Sequence, residues 1–276
     1  MRRQSARWAA VVVALGVAAS GCGTRPADTG VRIAASETPS PEVSESASLL
    51  VKVFEEGQQD DVPNPGSGAG DPRLAAALLP GFRDVRQRSY QPGAVVALPV
   101  ADLRSTFIPE RQISSPLEGP EECTKWTAGM WLEVLSRYNA PGAQLAVAMM
   151  EPATPVGSRR PMGAVFSEAI ITGPAAMLDR LGDPELPARC GRLPVAGDGF
   201  GEIQPLTVPH LGERSWAYRI TGTGKVPVWH WVEVVQTSHY VLEIRIPNQD
   251  PRPRTDPAEL LPLIAQEAYA KAARLF

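Results

Sequence analysis

"VPVWHWVEVVQTSHYVLEIRIP", residues 226–247, alternates in side-chain character with a period of two on both sides of the polar tetrapeptide QTSH. In the first half, one face carries valines together with His230, and the other face carries Trp229 and Trp231. Alternation of this kind predicts two β-strands joined by a turn at QTSH. The segment RSWAYRIT, residues 214–221, alternates in the same way. Together these segments predict a three-stranded antiparallel meander.

The faces of the last two strands predict how they pair. Placing Val234 opposite Tyr240 keeps the apolar side chains of both strands on one face, and it requires a five-residue or bulged connection. The same pairing sets Trp229 opposite Arg245, where an indole and a guanidinium can form a cation–π pair. We therefore predict this register rather than one with a tight two-residue turn.

The rest of the body predicts further strands and helices. Residues 256–276 predict a closing helix capped by Asp256, although Pro262 conflicts with an uninterrupted helix. Residues 124–138 are compatible with a helix or a strand, and we favour a helix. The other predicted elements are strands at 94–103, 143–152 and 163–172 and a short helix at 173–182. This pattern predicts an α+β domain, a mostly antiparallel sheet with helices packed on one face.

The first 22 residues have the three zones of an export signal. Three arginines precede an apolar run at residues 9–19, and small side chains follow it. The run is too short for a membrane-spanning helix, which needs about 20 residues. The three zones therefore predict a secretory signal peptide over residues 1–21.

The end of this signal, Ala19-Ser20-Gly21-Cys22, resembles the lipobox of bacterial lipoproteins. It matches at three positions and departs at Ala19, where a larger aliphatic residue is usual. The resemblance implies that Cys22 carries a diacylglyceryl thioether and becomes the mature N-terminus, at the outer face of the cytoplasmic membrane. Two acyl chains would anchor the protein firmly, since each buried methylene contributes about 0.8 kcal/mol. The alternative is ordinary secretion with cleavage near Ala19.

The two other cysteines, Cys123 and Cys190, predict a disulfide. An oxidising extracytoplasmic space favours such a bond. The pair lacks the CxxC spacing and the neighbouring histidine that a zinc site would need. A catalytic thiol would require a free cysteine in an electropositive pocket.

Composition divides the mature chain into a linker and a body. Residues 22–70 are rich in proline, serine, glycine and acidic side chains, which is typical of a linker. Residues 24–73 hold nine acidic and four basic side chains, whereas the whole chain has a net charge of −3. Residues 71–276 have the size of one domain and are close to neutral. We predict no nucleic-acid partner, which would require a basic patch.

The sequence contains no catalytic motif, metal-ligand spacing or cofactor fingerprint. We therefore predict no catalytic residue, no metal and no cofactor. The candidate ligand or partner surface is formed by Trp229, Trp231, His230 and Arg245. If this surface is open, the indoles offer a large amphipathic area to a ligand or partner. The alternative is that a helix covers the tryptophans and that His230 is a neutral core residue.

Several features of the second half resemble one class of envelope domain. They are the tripeptide EEC at 121–123, a Leu-Pro-x-x-Cys ending at Cys190 after a short helix, and a strand pair followed by an alanine-rich helix. The combination resembles the extracellular sensor domain of actinobacterial serine/threonine kinases, which also occurs alone in lipoproteins. The kinase-linked domain usually has two disulfides, whereas this chain can form one. The resemblance implies a two-layer fold and an extracytoplasmic binding or sensing role.

These observations lead to one functional expectation and two alternatives. We expect a lipid-anchored, non-enzymatic binding or sensing protein of the cell envelope. Its partners would be the membrane, through the diacylglyceryl anchor, and a small ligand or an envelope protein. The alternatives are a structural or assembly partner of an envelope membrane complex and a hydrolase with an unrecognised site.

Overall fold

A computed structural model describes the protein over residues 31–32, 52–53, 71–83, 89–100, 120–127, 129–137, 140–152, 166–194, 199–223, 229–248 and 256–276. The strands are β1 (Val31–Arg32), β2 (Lys52–Val53), β3 (Phe82–Arg83), β4 (Ser89–Pro99), β5 (Gln144–Pro152), β6 (Phe166–Thr172), β7 (Glu185–Leu186), β8 (Arg192–Pro194), β9 (Phe200–Leu206), β10 (Arg214–Thr223), β11 (Trp229–Gln236) and β12 (Tyr240–Asn248). The helices are α1 (Pro72–Ala77), α2 (Thr124–Thr127), α3 (Met130–Arg137), α4 (Ala175–Gly182) and α5 (Pro257–Ala272). Short 3-10 turns, Glu121–Cys123 and Ala188–Cys190, precede α2 and β8.

Ten of the described strands form one antiparallel sheet, in the order β2-β3-β4-β5-β6-β12-β11-β10-β9-β8. β1 pairs separately with β7. The predicted meander is confirmed as β10, β11 and β12, which are neighbours in the sheet. The three strands predicted upstream are confirmed as β4, β5 and β6. The mostly antiparallel sheet of the predicted fold class is therefore present.

The predicted register of β11 and β12 is wrong. Val234 lies opposite Glu243 rather than Tyr240, and Trp229 and Arg245 are not cross-strand partners. The turn between the strands is tight, because Thr237 N donates to Tyr240 O over 2.9 Å. The Thr237 hydroxyl oxygen also accepts a hydrogen bond from Tyr240 N at 3.1 Å. Hydrogen bonds local to the turn therefore set the register.

Both faces of the sheet are buried, which is why the apolar faces could not predict the register. Along β12, Val241 belongs to one apolar cluster, whereas Leu242 and Ile244 belong to another on the opposite side. We name these the first face and the second face. Helices α2, α3 and α4 pack on the first face, and α1 and α5 pack on the second. The predictions of helices on one face and of two layers are therefore corrected to a sheet between two helical layers.

The predicted helices are confirmed, with two refinements. The helix predicted at 124–138 is divided into α2 and α3 at Gly129. The closing helix α5 begins as predicted, with the Asp256 side chain accepting from Ala258 N at 2.9 Å. It continues through Pro262 and packs against β11 and β12. Within the described residues, no helix is long and apolar enough to cross a lipid bilayer.

The predicted disulfide between Cys123 and Cys190 is confirmed, with Cα atoms 5.5 Å apart. Both cysteines are fully buried in the cluster of the first face. The bond joins the turn that leads into α2 with the turn that leads into β8. It therefore ties the helices above the first face to the edge of the sheet.

Removing this disulfide should lower the stability of the body. The bond closes a loop between residues separated by 67 positions, so the double variant Cys123→Ser and Cys190→Ser should lose about 4 kcal/mol of unfolding free energy. Urea unfolding of both proteins, with and without reductant, measures the loss. The double variant controls for the reductant, which should not change its midpoint. Equal midpoints for the wild type and the double variant without reductant would contradict the prediction.

Candidate functional site

The four residues predicted to form a ligand or partner surface do not lie on one face. Trp231 lies on the second face, where it is 7% exposed and packs in the cluster that includes α5. His230 and Arg245 lie on the first face, and the Trp229 side chain is outside the described residues. For Trp231, the structure therefore shows the covered arrangement.

His230 occupies a largely apolar position on β11. Burial, together with the positive charge of Arg245, lowers the pKa of His230 to about 3. Its Nδ1 has no hydrogen-bond partner among the described residues. The imidazole of this half-buried residue is therefore neutral at physiological pH.

Arg245 forms a buried ion pair with Glu243, two residues earlier on β12. The Arg245 Nε lies 3.4 Å from Glu243 Oε1, and the two side chains are 7% and 1% exposed. Arg245 also donates to Thr127 O at 3.1 Å and to the Tyr218 hydroxyl at 3.4 Å. Glu243 Oε2 accepts from Met130 N at 2.6 Å. The pair therefore holds the junction between α2 and α3 against the sheet.

Gly129 allows this junction to approach the ion pair closely. Its φ of +112° is a conformation that residues with a Cβ rarely adopt. A Cβ at this position would lie 2.9 Å from Glu243 Oε1. The break between α2 and α3 therefore lies at Gly129, where the absence of a Cβ leaves space for the Glu243 carboxylate.

Lys125 joins α2 to α4 in a similar way. Its ammonium donates to the carbonyl oxygens of Asp183 at 2.7 Å and Arg180 at 3.2 Å. It also lies 4.7 Å from the ring centroid of Trp126. Burial lowers the pKa of this ammonium to about 8. Trp216 adds a second link, since its indole N–H donates to Gly182 O at 2.9 Å.

A row of side chains with two buried carboxyls crosses the second face. Glu168 on β6 and Glu233 on β11 lie on either side of Ile244, so they are two strand spacings, or about 10 Å, apart. Glu168 Oε2 accepts from Leu79 N at 2.8 Å. Glu233 has no hydrogen-bond partner for either oxygen within the described residues. Burial raises the pKa of each carboxyl to about 8.

An open groove lies at the end of the sheet that carries the β11–β12 turn. The groove has a volume of about 590 Å³. It is formed by the start of α1, the loop before β5, the end of β6, the β11–β12 turn and Phe276. We name it the sheet-end groove. Its lining residues are Asp71, Arg73, Pro141, Gly142, Gln144, Thr172, Gly173, Pro174, His239 and Phe276.

The polar side chains of the sheet-end groove are held in defined positions. Arg73 donates to both carboxylate oxygens of Asp71, which holds the pKa of that carboxyl below its ordinary value. Gln144 Oε1 accepts from Asp71 N at 2.7 Å. The Arg73 guanidinium lies 5.3 Å from the ring centroid of Phe276. Donors, acceptors and an aromatic ring thus line one open space.

Sequence reasoning did not find this groove because its residues come from five separated segments. One local signal was available: Asp71 followed by Pro72 is a helix start, and the Asp71 side chain caps α1 by accepting from Arg73 N at 2.9 Å. Within the described residues, no group of three His, Cys, Asp or Glu side chains could hold a metal ion.

Comparisons with known proteins give structural likenesses of low score. No protein-family model matches the chain, and no curated protein matches it. The extracellular domain of PknH from Mycobacterium tuberculosis is 12% identical, with a TM-score of 0.43 over 73% of this chain and 95% of that one. An uncharacterized protein from Mycobacterium smegmatis, the Rv0999 ortholog, is 18% identical, with a TM-score of 0.35 over 63% of this chain and 94% of that one. Both TM-scores lie below 0.5.

The buried carboxyls predict how stability depends on pH. Because the pKa values of Glu168 and Glu233 are raised from 4.5 to about 8, the folded state holds protons that the unfolded chain releases between those values. Stability should therefore fall as pH rises through this window. His230 has the opposite effect only below about pH 6.5, and Lys125 acts only above about pH 8. The interval from pH 6.5 to 8 thus isolates the carboxyls.

Thermal melts at pH 6.5 and pH 8 test this dependence. The wild type should melt at a lower temperature at pH 8, and Glu233→Gln should lose less between the two values because it cannot ionise. Glu185→Gln, which removes an exposed carboxyl, is the matched control and should behave as the wild type does. An identical loss in Glu233→Gln and the wild type would contradict the assignment.

Proposed function

We propose that the protein is a lipid-anchored, extracytoplasmic binding protein of the cell envelope without enzymatic activity. One observation carries the proposal: Cys123 and Cys190 are bonded to each other, and Cys22 is the third cysteine of the chain. Cys22 is also the last residue of the lipobox-like sequence. A thioether to lipid would give each of the three cysteines a role that suits an oxidising compartment.

The sheet-end groove is the ligand site that we propose. Its volume of about 590 Å³ suits a small molecule or a short polymer fragment. Arg73 and His239 supply donors and Asp71 supplies an acceptor, while the charge of Arg73 is already balanced by Asp71. This lining favours a polar cell-wall fragment, such as a sugar or a short peptide, over an apolar ligand.

The contacts of three charged side chains near the first face support a binding role. Glu243, Arg245 and Lys125 each bond to backbone groups at the ends of helices. These hydrogen bonds therefore hold α2, α3 and α4 in place on the first face. A hydrolase would need such groups to converge on a cleft that a substrate can enter.

Replacing Cys22 tests the anchor. In bacteria that process lipoproteins, Cys22→Ser should abolish incorporation of a labelled fatty acid and release the mature protein from the membrane fraction, because the thiol that accepts the lipid is gone. Ser20→Ala is the matched control, since a small residue remains at that position. Label incorporation by Cys22→Ser, or a mature chain that begins before Cys22, would contradict the proposal.

Native mass spectrometry tests the groove. The protein purified from its own envelope should carry an additional mass that is lost on denaturation. Arg73→Ala should lower the occupancy at least about tenfold, because a charge-assisted hydrogen bond contributes about 1.5–3 kcal/mol.

The control for this experiment is Arg219→Ala, which removes an exposed guanidinium that bonds to Gln204 on the β9–β10 surface. Arg219→Ala should keep the ligand. Equal occupancy in both variants would exclude the groove as the site. A wild-type protein without additional mass would favour the alternative role of an assembly partner.

A further inference from the structure

The strand β1 docks part of the N-terminal segment onto the body. Val31 lies opposite Leu186 and Arg32 lies opposite Glu185, in an antiparallel ladder with β7. Val31 follows Cys22 by nine positions, whereas Lys52, the start of β2 in the main sheet, follows it by 30. Among the described residues, the first strand that pairs with the body therefore lies close in sequence to the proposed anchor position.

Covalent geometry converts these positions into lengths. An extended chain spans at most about 3.3–3.6 Å per residue, so nine positions reach about 30 Å and 30 positions reach about 100 Å. A tether that ends at β1 is thus about three times shorter than one that ends at β2.

We infer that pairing of β1 with β7 shortens the membrane tether and holds the body within about 30 Å of the lipid surface. The inference rests on the proposed acylation of Cys22. The partner is the membrane to which the anchor belongs, and the contact that sets the distance is the β1–β7 ladder.

The docking strand β7 is itself firmly held. Leu186 is 4% exposed and belongs to the core of the first face. Asp183 accepts from Lys125 through its carbonyl, and its Oδ1 accepts from Glu185 N at 3.0 Å. Four residues after Leu186, Cys190 is bonded to Cys123. A force applied to β1 is therefore transmitted through β7 to the disulfide-bonded part of the body.

The docking point also fixes where the groove lies relative to the anchor. Pro174, just before α4, lines the sheet-end groove, whereas β7 follows the other end of that helix. The eight residues of α4 span about 12 Å. The groove and the attachment point therefore lie at opposite ends of one short helix.

The inferred height of the body above the lipid surface does not require attraction between basic side chains and lipid. Arg189 and Arg192, which follow β7 in the chain, are paired with Glu122 at 2.6 Å and with Glu202 at 3.6 Å. Their charges are balanced by these carboxylates. The length of the tether, rather than adhesion of a basic surface, would set the height of the body.

Matched insertions test the inference. A ten-residue Gly-Ser insert between Asp28 and Thr29 lengthens the chain before β1, and the same insert between Pro39 and Ser40 lengthens it after β1. The lipidated full chain is bound to a supported bilayer of phosphatidylethanolamine and phosphatidylglycerol, and neutron reflectometry measures the height of the body. The first insert should raise the body by on the order of 10 Å. The second should leave the height unchanged.

A cross-link tests the docking separately. Arg32→Cys with Glu185→Cys should form a disulfide in the full chain, since opposed residues of an antiparallel pair have Cβ atoms within bridging range. Arg32→Cys with Arg274→Cys is the control and should remain reduced, because Arg274 follows α5 on the opposite face of the sheet. Intact mass and gel mobility report the bond.

The outcomes separate failure of the inference from failure of the anchor. Equal rises from both inserts, no rise from either, or equal cross-linking of both pairs would overturn the short tether alone. A wild-type chain that carries no lipid and does not stay on the bilayer would overturn the proposed anchor, and the inference with it.

Discussion

The arrangement of the first face depends on the buried ion pair of Glu243 and Arg245. Taking two charges out of water costs several kcal/mol per ion, so such a pair persists only when its remaining hydrogen-bonding capacity is used. Here the junction between α2 and α3 and the Tyr218 hydroxyl use it. Loss of either partner would leave a buried charge uncompensated. The position of both helices, and of the disulfide turn before them, is thus coupled to one strand, β12.

The buried carboxyl groups of the second face are stabilised in a different way. Glu168 accepts from Leu79 N, Glu233 has no hydrogen-bond partner within the described residues, and burial raises the pKa of each carboxyl to about 8, which keeps both protonated at neutral pH. The same residue type is therefore charged and paired on one side of the sheet and neutral under α5 on the other. Both the ion pair and the neutral carboxyls require that water is excluded. Both arrangements therefore depend on the sheet lying between two helical layers.

Sequence reasoning found the local elements and failed where distant parts of the chain meet. The alternation in β10, β11 and β12, the cap at Asp256 and the two paired cysteines are local or unambiguous signals. The register of β11 and β12 was not predictable from faces, because both faces are apolar and the turn at Thr237 decides the pairing. The sheet-end groove combines five segments, and the β1–β7 ladder joins residues about 150 positions apart. The periodicity of a single segment does not predict contacts between segments that are far apart in the sequence.

The pairing of Cys123 with Cys190 has a consequence for oxidative folding. Three thiols allow three pairings, of which one is native, and a chain oxidised as it emerges would first meet the pair Cys22 and Cys123. Acylation of Cys22 before oxidation would remove the competing thiol and leave a single possible bond. If Cys22 is acylated as proposed, the lipid would act as a protecting group for that thiol, and a chain acylated before oxidation would need no isomerase to correct its disulfide.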